Sequence, residues 1–209
     1  MKEFSKSLKM KRKLDFVLSS CALILTAPLF PLIALAIKLD SKGPVFYRQL
    51  RVGSYHKDRV DLFYMIKFRS MRSDAESKTG AVWAQKTDPR ITAVGNFLRK
   101  SRLDELPQLI NVLKGEMSII GPRPERPGFY QNLEKNIPFY AERTYGLRPG
   151  ITGLAQVYQG YDTCIEDVRS KVAYDHSYAL ALDNVPSWLG MDLKIAFMTA
   201  WVMLRGRGH

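Results

Sequence analysis

The segment from Phe16 to Ile37, FVLSSCALILTAPLFPLIALAI, carries no charged residue. A helix of that length can cross a hydrocarbon core of roughly 30 Å, so any fold for this chain must give the segment an apolar surrounding. A signal peptide is suggested by Lys9, Lys11, Arg12 and Lys13 ahead of the run and by Ala34-Leu35-Ala36 within it. The run nevertheless exceeds the usual signal-peptide core of roughly 7 to 15 residues. A straight transmembrane helix must accommodate Pro28 and Pro31 near its middle, where each removes a backbone hydrogen bond and clashes with the preceding turn. A re-entrant hairpin uses the same prolines as its bend. Basic residues flank both ends: Lys6, Lys9, Lys11, Arg12 and Lys13 before, Lys38, Lys42, Arg48 and Arg51 after. Positive charge stays on the cytoplasmic side, and entry and exit through one face satisfies both ends. Crossing stays open on these residues alone, because transmembrane helices tolerate prolines.

With 209 residues, 46% hydrophobic and 25% charged, the chain can build one domain with a core but not a multi-span membrane protein. The expected division is a basic arm and membrane helix over 1–40 and a catalytic or binding domain over 41–209. The excess of 32 Lys and Arg over 20 Asp and Glu, +12 in all, points to an anionic partner: phospholipid, phosphorylated substrate or nucleic acid. Cys21 and Cys164 are too few and too far apart for a disulfide framework. His56, His176 and His209 are scattered, and no chemistry is assigned to them.

Beyond the turn signal Ser41-Lys42-Gly43-Pro44, the β-branched and aromatic stretches Val45 to Val52 and Leu62 to Met71 predict two strands separated by a polar loop from Gly53 to Asp61. Lys67 and Arg69 then leave one strand face about 7 Å apart, a spacing that could bracket a phosphate. An ordinary solvated strand face explains the pair equally well. Ser73 to Gly80 reads as a loop, and Asp88-Pro89 as a turn before a helix that resumes near Val94.

Apolar residues at 106, 109, 110 and 113 give Leu103 to Leu113 a helical period, closed by Gly115. Pro107 is tolerable only in the first turn, which places Asp104 and Glu105 at the N-terminal end. There the helix dipole favours negative charge and both carboxylates should be ionised. An ionised Asp is a nucleophile toward phosphorus, and an adjacent Glu can hold Mg²⁺ against a diphosphate; a simple helix cap is the structural alternative. Gly121-Pro122-Arg123-Pro124 and Arg148-Pro149-Gly150-Ile151-Thr152-Gly153 are rigid turns that each present a cation suited to an oxyanion, or to a structural salt bridge. Near the C-terminus, Trp188 to Leu204, followed by Arg205 and Arg207, can lie in a membrane interface with Trp188 and Trp201 at the headgroups, or form a core helix.

The stretches Lys67-Phe68-Arg69-Ser70-Met71, Asp88-Pro89-Arg90-Ile91-Thr92, Leu103-Asp104-Glu105-Leu106-Pro107-Gln108-Leu109, Asn111-Val112-Leu113-Lys114-Gly115-Glu116-Met117-Ser118, Gly121-Pro122-Arg123-Pro124 and Arg148-Pro149-Gly150-Ile151-Thr152-Gly153-Leu154-Ala155-Gln156-Val157 occur in this order. Together they resemble the bacterial sugar transferase family of monotopic phosphoglycosyl transferases. The resemblance implies a mixed, helix-rich α/β catalytic domain with a re-entrant N-terminal helix hairpin and amphipathic interfacial helices, at the cytoplasmic face of the bacterial inner membrane. Pro28 matches the family's breaking proline, and Ala27 stands where Ser is common. Larger relatives carry further N-terminal membrane helices, so the chain resembles the minimal form.

The implied partners are a UDP-sugar donor, a polyprenyl phosphate acceptor and membrane lipids, with Mg²⁺ as cofactor; a homo-oligomer is compatible. Asp104 would attack the donor β-phosphate and Glu105 would contact the metal, making these the catalytic pair. Lys67, Arg99 and Arg123 match positions near the donor phosphates. Arg148 and Asp175 match recurring positions without a defined role. Two other classes compete: a non-catalytic adaptor that binds anionic lipid, and a nucleic-acid module motivated by the pI of 9.7. The second leaves the uncharged run without a place, so no nucleic-acid partner is expected.

Overall fold

In the computed structural model, which describes residues 2–75, 88–159 and 164–205, the apolar run is two helices, α1 (Lys2–Thr26) and α2 (Leu29–Asp40). They meet at a 62° bend. Pro28 alone causes the break, because it occupies the N-cap of α2. Pro31 falls in the first turn of α2, where a missing N–H costs nothing. Thr26 Oγ1 donates to Ala22 O at 2.7 Å just before the bend, a hydroxyl supplied from outside the position where the family often has Ser. Among the described residues no single helix is both long and apolar enough to cross a membrane, but the bent pair together is.

α1 is patterned inside out. The residues it buries are polar and four apart: Ser7, Lys11, Asp15 and Ser19, one stripe of a helix. Its apolar side chains, among them Phe16, Val17, Ile24 and Leu25, are exposed. The stripe docks on the C-terminal half of the domain. Lys11 Nζ donates to Asp192 Oδ2 at 2.8 Å, and Ser118 Oγ donates to Asp15 Oδ2 at 2.8 Å. Asp192 also accepts from Tyr178 Oη at 2.8 Å and Trp188 Nε1 at 2.7 Å. α1 is therefore fastened to the domain by buried polar bonds. α2 docks by apolar contact instead, with Ile33 and Ile37 packed against Phe68 and Leu98 and flanked by Leu103 and Leu106.

The strands are β1 (Phe46–Tyr55) and β2 (Val60–Phe68), an antiparallel hairpin in register Phe46↔Phe68 through Val52↔Leu62 with an irregularity between Val52 and Tyr55. The predicted loop is shorter than expected. The bulge carries pairing on to Tyr55↔Val60, and His56 N–H donates to Arg59 O to close the turn. β2 ends at Phe68. Beyond it Arg69 N–H bonds to Val45 O at 2.8 Å and Met71 bridges to Ile91. Of the predicted loop at 73–80, Ser73–Ala75 form a turn and 76–80 lie outside the described residues, as does Arg207.

Helix α3 (Ala93–Lys100) is capped by Thr92 Oγ1, which accepts from Gly95 N–H, and by Asp40 Oδ2 of α2, which accepts from Val94 N–H. A Cβ at Gly95 would sit 1.9 Å from Ser70 O, so only glycine lets α3 approach this backbone. The predicted helix from Leu103 splits into a 3-10 turn (Leu103–Glu105) and α4 (Gln108–Lys114), because Pro107 caps the second piece. Gly115 ends α4 in the left-handed region at φ 83°. Asn111 ties α4 to β2, donating to Tyr64 O and accepting from Ile66 N–H.

The remainder is β3 (Ser118–Ile120), α5 (Pro127–Asn136), a 3-10 turn (Ala141–Thr144), β4 (Gly150–Thr152), α6 (Leu154–Tyr158), α7 (Ile165–Ala181) and α8 (Val185–Leu204). β3 and β4 pair in parallel. The result is one helix-rich α/β domain whose two sheets have two strands each. Trp188 is not at a headgroup level, since it is 1% exposed in the core with Tyr178, Leu182 and Ile195. The opposite face of α8 leaves Leu193, Phe197 and Trp201 exposed, so the core-helix reading holds for the face that carries Trp188.

Replacing Lys11 by Met leaves the buried Asp192 carboxylate without its cation. The expected loss is about 3–5 kcal/mol, read as a lower melting temperature of the detergent-solubilised protein. The Lys11→Met/Asp192→Asn double variant is expected to recover part of it.

Candidate active site

Asp104 and Glu105 sit on the 3-10 turn between α3 and α4, facing β2. Lys67 Nζ donates to Glu105 Oε1 at 2.7 Å, and Arg102, at φ 58°, brings its guanidinium 3.7 Å from the same oxygen. Although burial opposes the charge on Glu105, Lys67, Arg123 and Arg102 outweigh it and hold the carboxyl down at about 2. Asp104 differs. It is 6% exposed, its Oδ1 has no hydrogen-bond partner, and burial pushes its pKa up against the pull of Lys67, Arg99 and Arg102. The helix dipole is not what sets these charges, because the pair precedes α4; the surrounding cations and the degree of burial set them.

The dyad opens into a cavity of about 430 Å³ whose walls, among the described residues, carry nine Lys and Arg against four Asp and Glu. β1 and β2 contribute Tyr47, Gln49, Arg51, Met65 and Lys67; α3 contributes Arg99; and the 121–126 segment contributes Arg123, Glu125 and Arg126. Low-dielectric walls with this excess of positive charge concentrate anions and strengthen their binding.

Arg123 is placed by its backbone. Gly121 N–H donates to Thr152 O, Gly150 N–H donates to Pro122 O, and Ser118 N–H donates to Pro149 O. A Cβ at Gly150 would come within 2.1 Å of Gly121 N, and one at Gly153 within 2.1 Å of Gly121 O. The two turns read separately in the sequence are thus two sides of one backbone-to-backbone joint. Further along, Pro124 O accepts from Arg51 Nη1 at 3.0 Å and Glu125 O from Val52 N–H at 2.8 Å. Arg143 Nη2 donates to Arg123 O at 3.1 Å while its Nη1 donates to Asp175 Oδ2 at 2.7 Å. Burial disfavours the Arg143 charge, but Tyr140 and Asp175 raise its pKa. Asp175, singled out earlier without a role, anchors the arginine that holds the Arg123 carbonyl.

The structure brings Lys67, Arg69, Arg99, Arg123, Asp104 and Glu105 to one cavity. It does not bring Arg148 there. Arg148 Nε donates to Gly115 O at 2.7 Å, close to Arg12, whose Nη1 and Nη2 donate to Val112 O and Leu113 O. Both arginines close the C-terminal end of α4, where cations suit the dipole. Arg69 lies in the wall with Nη2 donating to Ser41 O at 2.6 Å and to Ile37 O at 3.3 Å. Arg102 and Arg143 were not foreseen. Arg102 adjoins the dyad and could have been suspected for that reason, whereas Arg143 has no local signal.

The bacterial sugar transferase family matches residues 6–206. The chain belongs to that family. Its curated relatives include a UDP-N-acetylgalactosamine-undecaprenyl-phosphate N-acetylgalactosaminephosphotransferase of Aeromonas hydrophila, 44% identical over 95% of this chain and 44% of the relative. A UDP-glucose:undecaprenyl-phosphate glucose-1-phosphate transferase of Xanthomonas campestris pv. campestris is 43% identical over 89% of this chain and 37% of the relative. The chain spans less than half the length of these two. An exopolysaccharide production protein PSS of Rhizobium leguminosarum bv. phaseoli is 40% identical over 96% of this chain and 98% of the relative. In this member of the family the motifs that carry the resemblance converge on the cavity and on the joint that positions Arg123.

Glu105 titrates near 2 in the folded protein against an ordinary 4.5. Its depressed value makes a stability contribution that is present above about pH 4.5 and is lost as pH falls toward 2. Comparing thermal unfolding of the wild type and Glu105→Gln across pH 2–7 should show a wild-type advantage on the order of 3 kcal/mol near neutrality that vanishes at the acid end.

Proposed function

We propose that the protein transfers a phosphosugar from a UDP-sugar to polyprenyl (undecaprenyl) phosphate, as the names of its Aeromonas and Xanthomonas relatives suggest. The observation that carries the reading is the unpartnered, buried Asp104 Oδ1 in a strongly cationic cavity. In the first step the Asp104 carboxylate attacks the β-phosphorus of the donor. The bond from that phosphorus to the bridging oxygen breaks, UMP leaves with the oxygen, and the phosphosugar stays on Asp104. In the second step an acceptor phosphate oxygen attacks the same phosphorus and the Asp104 carboxylate departs, giving a polyprenyl-diphosphate-sugar. Lys67, Arg99 and Arg123 offset the charge that develops on the exchanged oxygens. Occupying Lys67 and Arg102 with Glu105 leaves Asp104 Oδ1 uncommitted, as a nucleophile requires.

The donor set fits Mg²⁺. Among the described residues no group of three or more His, Cys, Asp or Glu side chains gathers, and Mg²⁺ is commonly held by one or two carboxylates together with substrate phosphates and water. Glu105, kept ionised beside Asp104, is the carboxylate that would hold it. When bound, the ion would neutralise diphosphate charge.

The bent pair α1–α2 is read as a re-entrant hairpin, which makes the protein monotopic at the cytoplasmic face of the inner membrane. Its exposed apolar residues Leu18, Ile24, Leu25, Leu32 and Leu35 face lipid in this reading, and the cations at both ends support one-sided entry. The exposed face of α8 with Trp201 suits the interface.

Purified protein given Mg²⁺, polyprenyl phosphate and a panel of UDP-sugars should release UMP with at least one donor. Asp104→Asn should reduce release by about a thousandfold or more while keeping membrane association, and wild-type release from this variant would rule the mechanism out. Cysteines introduced before Phe16 and after Ile37 should both be labelled from the cytoplasmic side; labelling from opposite sides would contradict the hairpin.

A further inference from the structure

Arg69 is 5% exposed, and its Nε and Nη1 are buried without a hydrogen-bond partner, although the residue lines the cavity. Buried donors left unmade are costly and call for a partner that completes them. Among the described residues only Nη2 is committed, to Ile37 O, Ser41 O and Ser41 Oγ at the end of α2. Nη1 packs directly on the backbone of Gly43, where a Cβ would lie 2.2 Å from it, so only glycine there admits the guanidinium in this position. A guanidinium with one nitrogen pinned and two donors unmade is suited to a phosphate monoester.

Position selects which phosphate. Lys67 and Arg102 are engaged with Glu105 at the dyad. Arg69 instead marks the end of the cavity next to the membrane hairpin. It is bonded to the last turn of α2, and the wall beside it is Pro44 and the half-exposed Phe46. The outer surface of α2 leading to this point is apolar and exposed at Leu32, Leu35 and Leu39. An amphiphile whose chain lies along α2 would therefore bring its headgroup to Arg69, while a soluble nucleotide gains nothing from that approach.

We propose that Arg69 is the acceptor-binding residue, holding the phosphate monoester of the lipid while one of its oxygens attacks the phosphosugar on Asp104. In that step the new P–O bond forms to the lipid phosphate, the P–O bond to Asp104 breaks, and the carboxylate is regenerated with no proton or electron required. This rests on the transferase reading above.

The test separates the two half-reactions. Arg69→Lys and Arg69→Met are each expected to raise the KM for polyprenyl phosphate by about 10- to 100-fold, the loss of a charge-assisted hydrogen-bond pair. The UMP burst seen with UDP-sugar and no acceptor should fall by far less. An unchanged acceptor KM, or a burst that falls as much as acceptor turnover does, overturns the assignment. Because Arg69 also caps α2, hydrogen exchange on the wild type gives an independent reading. A monoalkyl phosphate in mixed micelles should protect segments 41–46 and 67–72, whereas the matching alkyl alcohol should not, and inorganic phosphate at equal concentration should protect less. No protection by the monoalkyl phosphate overturns the assignment even where the variants do not fold. A wild type that releases no UMP from any UDP-sugar would instead sink the transferase reading itself, leaving the micelle result to decide on Arg69.

Discussion

The buried polar contact between α1 and the rest of the chain, with Lys11 on Asp192 and Asp15 on Ser118, governs the whole arrangement. A helix that turns its polar stripe inward and its apolar side outward is stable only where something other than water covers that outer side. The same contact fixes the orientation of α1, and the break at Pro28 then returns the chain as α2 at a set angle. Ile33 and Ile37 of α2 pack in one cluster with Phe68, Leu98, Leu103 and Leu106, which are neighbours of Lys67, Arg99 and the dyad. The bent pair α1–α2 is thus part of the frame that positions the candidate active site.

Within that frame, opposing charges are divided between two adjacent carboxylates. Glu105 takes the short contact to Lys67 and the nearby Arg102, so it stays ionised. Asp104 feels the field of those cations against the opposing effects of burial and of the Glu105 charge, and its Oδ1 is left without a bond. In the proposed mechanism that oxygen turns toward phosphorus without first breaking a hydrogen bond, a preorganisation that lowers the reorganisation needed for reaction. Arg123 is treated in the opposite way. The glycine joint, Arg51, Val52 and the Arg143–Asp175 pair fix the backbone on either side of it, which aims a long side chain that would otherwise lose much rotamer freedom on binding.

What the sequence made legible was local. The kink at Pro28 follows from one residue, the hairpin strands from stretches rich in β-branched and aromatic residues, the dyad, Lys67 and Arg123 from contiguous motifs, and Arg99 from the family position it matches. The non-local half was not legible. No periodicity says that the turn at Gly121 and the turn at Gly150 interlock, that Asp175 reaches Arg143 across 32 positions, or that Arg148 serves the end of α4. Dipole reasoning expected both carboxylates to be ionised but could not show that the two differ: the surrounding cations hold Glu105 down, while burial pushes Asp104 up. Trp188 misled because its indole N–H found a buried partner in Asp192, which composition cannot reveal.

The central claim is that Asp104 carries the phosphosugar covalently between donor and acceptor. Incubating the protein with its UDP-sugar donor and Mg²⁺ in the absence of acceptor, followed by rapid acid quench and intact-protein mass spectrometry, tests it directly. The account predicts a mass increase equal to one phosphosugar, located on the peptide containing Asp104, which disappears when polyprenyl phosphate is added. Full turnover under conditions where no such adduct forms, or an adduct on another residue, would contradict it.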